Sequence, residues 1–143
     1  MEFLLYLSPD GRDIYNLISQ TVRVVENTPI CRKYDIYGWY DANTKTMIFC
    51  TDRIKSGPNP QNYINETLFH ESVHVAQSCK NKMTGIFPLG ISPQLMPLSD
   101  RRKADLGKTI KEYNNSHLRV EHEAFWMEDK PDKVKYVLQK YCF

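Results

Sequence analysis

What this chain has little of already removes several functional classes. No stretch approaches the ~18 apolar residues that a membrane-spanning helix needs. The opening "MEFLLYLSPDGRD" has an acidic residue at position 2 and only a short apolar run before Ser8, Pro9 and Asp10. It lacks the basic start and long apolar centre of a secretory signal, so none is expected. Excess charge is missing too. Lys and Arg number 19 against 17 Asp and Glu, a net charge of +2. A dedicated nucleic-acid or membrane-surface binder carries a far larger basic excess. The one basic run, Arg101–Arg102–Lys103, is flanked by Asp100 and Asp105 and reads as a solvated helix face. Cysteine is sparse: Cys31, Cys50, Cys79 and Cys142 are scattered, with no C-x-x-C pair. Without a secretion signal they are expected to be reduced thiols, and the chain cytoplasmic.

What is present suits one folded domain spanning residues 1–143, with 41% hydrophobic and 12% aromatic residues, enough for a core without staples. "SPDGRDIYNLISQTVRVVE" places Ile14, Leu17, Ile18, Thr21 and Val25 at helical spacing behind Ser and Asp caps. "YDIYGWYDANTKTMIFCTD" reads as a β-hairpin around "DANTK". After the loop "KSGPNPQN" a helix is expected from about Tyr63 to Cys79. Residues 84–98 combine three prolines, two glycines and many apolar side chains. They predict an ordered loop over a cleft or, equally, a loop that covers the core. Helices are expected near Ser99–Tyr113 and Ser116–Glu128, and Pro131 opens a last one. The fold class is α+β, a small antiparallel sheet beside several helices.

"LFHESVHVAQSCK", Leu68–Lys80, carries the chemistry. His70 and His74 stand four apart on a helix, so both imidazoles can reach one Zn²⁺ at ~2.0–2.1 Å. Glu71, about 100° further round, lies where it can take a proton from a metal-bound water. Apolar residues flank this strip on both sides, Phe69, Val73 and Ala76 against Ile64, Leu68 and Val75. The helix is therefore largely buried, and three polar side chains there are costly without partners. The bland reading is a pair of histidines satisfied by ordinary hydrogen bonds. Cys79, roughly opposite His70, is assigned to packing.

A catalytic zinc typically takes three protein ligands, and candidates lie in "NNSHLRVEHEAFWMED". With these residues on a helix, Glu121 falls among Leu118, Ala124 and Phe125, while Glu123 points to the opposite side with Arg119 and is expected in solvent. A carboxylate within an apolar stripe is rare unless it pairs or binds metal. Glu121 is the expected third ligand, with His122 and His117 as alternatives.

Taken together, H-E-x-x-H and a later Glu-x-x-Ala resemble the gluzincin class of zinc metallopeptidases. "GWYDANTKTMIFCTD", "HESVHVAQSCK" and "EHEA" are similar to the metallopeptidases that process and help assemble mitochondrial ATP synthase. The likeness covers about half the chain. It implies His70, His74 and Glu121 as zinc ligands, Glu71 as catalytic base, and a match of Cys50 and Cys79 to that family's cysteines. Gln77 stands where the family has aspartate, and Lys80 where it has arginine.

The expected protein is a zincin-like metallopeptidase with one catalytic Zn²⁺ and a polypeptide substrate, with no nucleic-acid or membrane partner. An oxyanion donor is sought in His117 or Tyr113. Glu128 could orient a ligand imidazole or be a simple helix-end charge. "TMIFCTD" could be the edge strand along which a peptide aligns. The competing reading is a zinc-stabilised binding or adaptor protein without hydrolytic activity. A DNA-associated protease would carry a third histidine soon after His74 and a basic surface, and this chain has neither.

Overall fold

In chain order the elements are α1 (Pro9–Ile18), β1 (Arg23–Glu26), α2 (Ile30–Lys33), β2 (Gly38–Asp41), β3 (Thr46–Phe49), α3 (Thr51–Lys55), α4 (Pro60–Lys80), α5 (Asp100–Tyr113), α6 (Leu118–Met127) and α7 (Pro131–Cys142). Short 3-10 turns lie at Glu2–Tyr6 and Pro93–Leu95. The structure, a computed structural model, describes residues 1–113 and 117–143, with backbone alone for residues 112 and 113.

Pro60 at the first position starts α4 where its missing N–H costs nothing. The helix is apolar on both flanks, as expected: Ile64, Leu68, Val73, Val75 and Ala76 are fully buried. It packs against α1, α6 and α7, with β2 across its remaining side. Ser8 caps α1, its Oγ accepting from the Gly11 N–H at 3.0 Å. Ile14 and Ile18 of α1 and Val134 and Leu138 of α7 complete the core, with Phe3 stacked on Phe49 at 4.3 Å between ring centroids.

The fold is α+β, and the hairpin forms as β2 antiparallel to β3, Gly38 opposite Phe49 and Asp41 opposite Thr46. Two details differ from the reading of the sequence. The first helix stops at Ile18, and Arg23–Glu26 instead form β1, parallel to β3. The β-branched run Val22, Val24, Val25 favours strand, and Val24 is the residue of β1 that turns inward. The sheet is therefore mixed, in the order β1-β3-β2. "TMIF" is consequently its central strand, and β2 is an edge. Thr51 and Asp52, expected at the end of the hairpin, instead begin α3.

The cysteines are paired, not reduced. Cys31–Cys50 joins α2 to the end of β3, and Cys79–Cys142 joins the C-terminal ends of α4 and α7. Cys79 points away from His70 as the helical angle requires, but its role is a cross-link rather than packing alone. Neighbouring elements supply the partners, which helical periodicity cannot show.

Candidate metal centre

Helical geometry brings His70 and His74 together on α4, their ring centroids 5.2 Å apart. Glu121 arrives from the first turn of α6. Its Oε2 lies 3.3 Å from His70 Nε2 and its Oε1 2.6 Å from His74 Nε2. One ligand atom from each of the three falls within 4.8 Å of the others. Ala124 is fully buried and small, letting α6 approach α4. Phe125 closes one side, packed edge-on to His70 at 4.6 Å.

Each imidazole is held from behind. His70 Nδ1 donates to Glu128 Oε1 at 2.8 Å, and His74 Nδ1 donates to Gln77 Oε1 at 2.7 Å. With a proton on both Nδ1 atoms, each Nε2 presents a lone pair towards the Glu121 oxygens. Acceptors this close repel unless a proton or a cation lies between them. Ligands ~2.0–2.1 Å from a tetrahedral zinc are separated by about 3.3 Å, the separation seen between His70 and Glu121, whereas His74 and Glu121 are in direct hydrogen-bond contact at 2.6 Å and would part to admit the ion. Two imidazoles and a carboxylate are also a donor set that zinc accepts. The residues fit the ion.

Without metal, burial alone would lower both imidazole pKa values. The Glu121 carboxylate, helped by Glu128 at His70 and by Glu71 at both, outweighs burial and raises them, His70 well above the ordinary 6.5. Burial pushes Glu121 up, and the two imidazoles reverse this and hold it far below the ordinary carboxylate range. Glu71 is buried and its pKa is raised, chiefly by desolvation. It lines the same cleft as the three ligand candidates, a cavity of about 870 Å³.

Glu128 is no simple helix-end charge. It is 3% exposed, and Arg102 Nε donates to its Oε2 at 3.0 Å. Arg102 also donates to Glu66 Oε2 at 3.0 Å, and Arg101 donates to both Glu66 oxygens. The basic run is only in part a solvated face: Arg101 and Lys103 are exposed, but the two guanidinium groups tie α5 to Glu66 of α4 and to Glu128 at the end of α6, behind His70. Burial first, then the nearby Glu128 carboxylate, raises Glu66 to about 7.

The expectation for Glu123 is overturned more sharply. Placed on the solvent side by helical angle, it is 1% exposed. The loop of residues 84–98 folds over that face of α6 and turns three successive N–H groups onto its carboxylate: Leu89 at 2.7 Å, Gly90 at 2.9 Å and Ile91 at 3.1 Å. Gly90, at φ +98°, adopts a backbone that glycine alone takes readily. The loop is ordered and does both things expected of it. Leu89 and Met96 are buried, while Ile86 and Phe87 line the cleft.

The other candidates separate cleanly. His122 Nε2 donates to the Met96 carbonyl at 2.9 Å, away from the three-residue group. His117 precedes α6, is exposed, and lines the cleft. Arg119 is exposed. The Tyr113 side chain lies outside the described residues. Sequence reasoning named Gln77, Glu123 and Arg102 but gave none of them a part in the site. The one available signal was Gln77 itself, a polar residue one turn beyond His74 on a buried helix.

The chain belongs to the family described as "Domain of unknown function (DUF8637)", which it matches over residues 3–143. No curated protein and no solved structure matches it. Among the described residues, no helix is long and apolar enough to cross a membrane.

Proposed function

We propose that this protein is a zinc-dependent peptidase of the gluzincin type, with His70, His74 and Glu121 as metal ligands and Glu71 as general base. One observation carries the reading: three ligand atoms from two helices far apart in sequence lie within 4.8 Å of one another, beside a buried glutamate in an open cleft. Zinc, when bound, supplies a lowered pKa for its water and polarisation of the scissile carbonyl. Glu71 takes the proton from the attacking water and returns it to the leaving amine as the C–N bond breaks. Its raised pKa suits both halves of that task. Glu128 and Gln77 keep the imidazole Nε2 atoms facing Glu121. His117 is the described side chain offered as donor to the developing oxyanion.

The substrate is a polypeptide laid in extended form along β2. Among the described residues that strand pairs in the sheet with β3 at its edge, and its residues line the cleft. The two disulfides favour an oxidising compartment over the cytoplasm expected from reduced thiols. Glu71→Gln is expected to keep zinc and lower kcat/KM by roughly 10²–10⁴-fold. Undiminished turnover would remove the base from Glu71.

A zinc-stabilised adaptor shares the ligand set, because an ion bridging α4 and α6 would also clamp them. Glu71, buried beside the ligands, has no task in that reading. Zinc-loaded protein that cleaves no member of a diverse peptide library would favour it.

A further inference from the structure

Gln77 and Glu123 form a chain of contacts that ends on a ligand candidate. Gln77 is fully buried, one turn beyond His74. A carboxamide can sit either way round, so its orientation must be argued from its partners. Its Nε2 lies 3.0 Å from the Val120 carbonyl and 2.9 Å from Glu123 Oε1. Both are acceptors, so the NH₂ end must face them and Oε1 must face His74. Oε1 is itself only an acceptor, so His74 Nδ1 must carry the proton and leave Nε2 its lone pair. The Glu123 carboxylate has no freedom to turn away, because the N–H groups of Leu89, Gly90 and Ile91 hold it in place. Lys80 fixes the same stretch from the end of α4, its Nζ donating to the Leu89 carbonyl at 2.6 Å.

We infer that Glu123 is a positioning residue: pinned by the 89–91 loop, it orients the Gln77 amide and so fixes His74 in the tautomer that binds metal. The course of the 89–91 loop and the orientation of a ligand candidate are therefore tied to one carboxylate. The inference rests on the zinc reading above and adds to it a residue that never touches the ion.

The isosteric change Glu123→Gln tests this. An amide at position 123 turns its own NH₂ either onto loop N–H groups or onto the Gln77 NH₂. The second arrangement flips Gln77, which then donates to His74 Nδ1 and moves the imidazole proton to Nε2. Zinc affinity is measured by competition with a chromophoric chelator, without reference to activity. Glu123→Gln is expected to weaken binding by about 10–100-fold. Gln77→Met, which leaves the loop contacts of Glu123 in place, is expected to weaken it similarly. Adding Glu123→Gln to Gln77→Met should then cost little more, because the route is already cut.

Equal losses from Glu123→Gln in both backgrounds would show a general structural role and overturn the inference. Unchanged affinity in Gln77→Met overturns it alone, even if Glu123→Gln fails to fold. Zinc binding by the unaltered chain, unaffected by either change, sinks this inference and spares the proposed function. Failure of the unaltered chain to bind zinc sinks both.

Discussion

His70 and His74 sit among carboxylates, so their protonation competes with any cation taken up by the proposed site. In the metal-free chain both folded-state pKa values lie above the unfolded 6.5, because Glu121 and its neighbours outweigh burial. A group raised in this way stabilises the fold most fully below its unfolded pKa, and that contribution is lost as pH rises through the folded value. Glu71, raised by burial above 4.5, acts in the same direction. Glu121, depressed by the two imidazoles, contributes stability above 4.5 that is lost in acid. Metal-free protein is therefore expected to lose thermal stability as pH rises above 6.5. Saturating zinc should reverse that slope, since it binds the deprotonated Nε2. Thermal melts across pH with and without zinc test this; a metal-free Tm that climbs with pH would contradict it. Legibility at this scale divided by kind of evidence. His70, His74 and Glu121 were readable because a polar residue on a buried helical stripe is visible from periodicity alone. Glu123 and Arg102 were not. A helical wheel gives one element's faces, and their burial comes from a loop and a helix packed on from elsewhere in the chain.

Among the elements, the close approach of β2 to α4 shapes the Glu71 side of the cleft. A Cβ built on Gly38 would lie 2.5 Å from Thr67 Cγ2, 3.2 Å from the Ile48 carbonyl and 3.3 Å from Glu71 Cγ. The strand can lie this near Glu71 only because position 38 has no side chain. Gly38→Ala is expected to cost about 1–3 kcal/mol through overpacking and to lower peptidase activity by moving the edge strand off Glu71. Denaturant unfolding beside a zinc titration would check it; a variant of parental stability and activity would show that the strand has room. The long helix and the hairpin were both legible, one from twofold flanking by apolar residues, the other from aromatic runs about "DANTK". β1 was not, because Ile14, Leu17, Ile18, Thr21 and Val25 fit a helical period that the β-branched run ends early. The identity of the edge strand depended on β1, so the strand proposed to align a peptide moved from β3 to β2.

Across the whole molecule, α4 is the part on which the rest is assembled. It carries His70, Glu71 and His74, ends at Cys79 bonded to the C-terminal end of α7, and receives α6 with Glu121 along its side. A disulfide closing a loop with a sequence separation of 63 residues typically contributes about 2–4 kcal/mol, mainly by restricting the unfolded chain. The second, Cys31–Cys50, joins α2 to the end of β3. None of this pairing was readable from four dispersed cysteines, since spacing alone does not say which ends of which elements meet. The ligand geometry depends on that assembly, as no local segment contains all three donors. The most direct test is zinc content measured by elemental analysis for the unaltered chain and for Glu121→Ala, each saturated with zinc and then dialysed. One ion per chain in the first and almost none in a folded second is expected. Equal zinc in both, or none in the unaltered chain, would contradict a metal centre built from His70, His74 and Glu121.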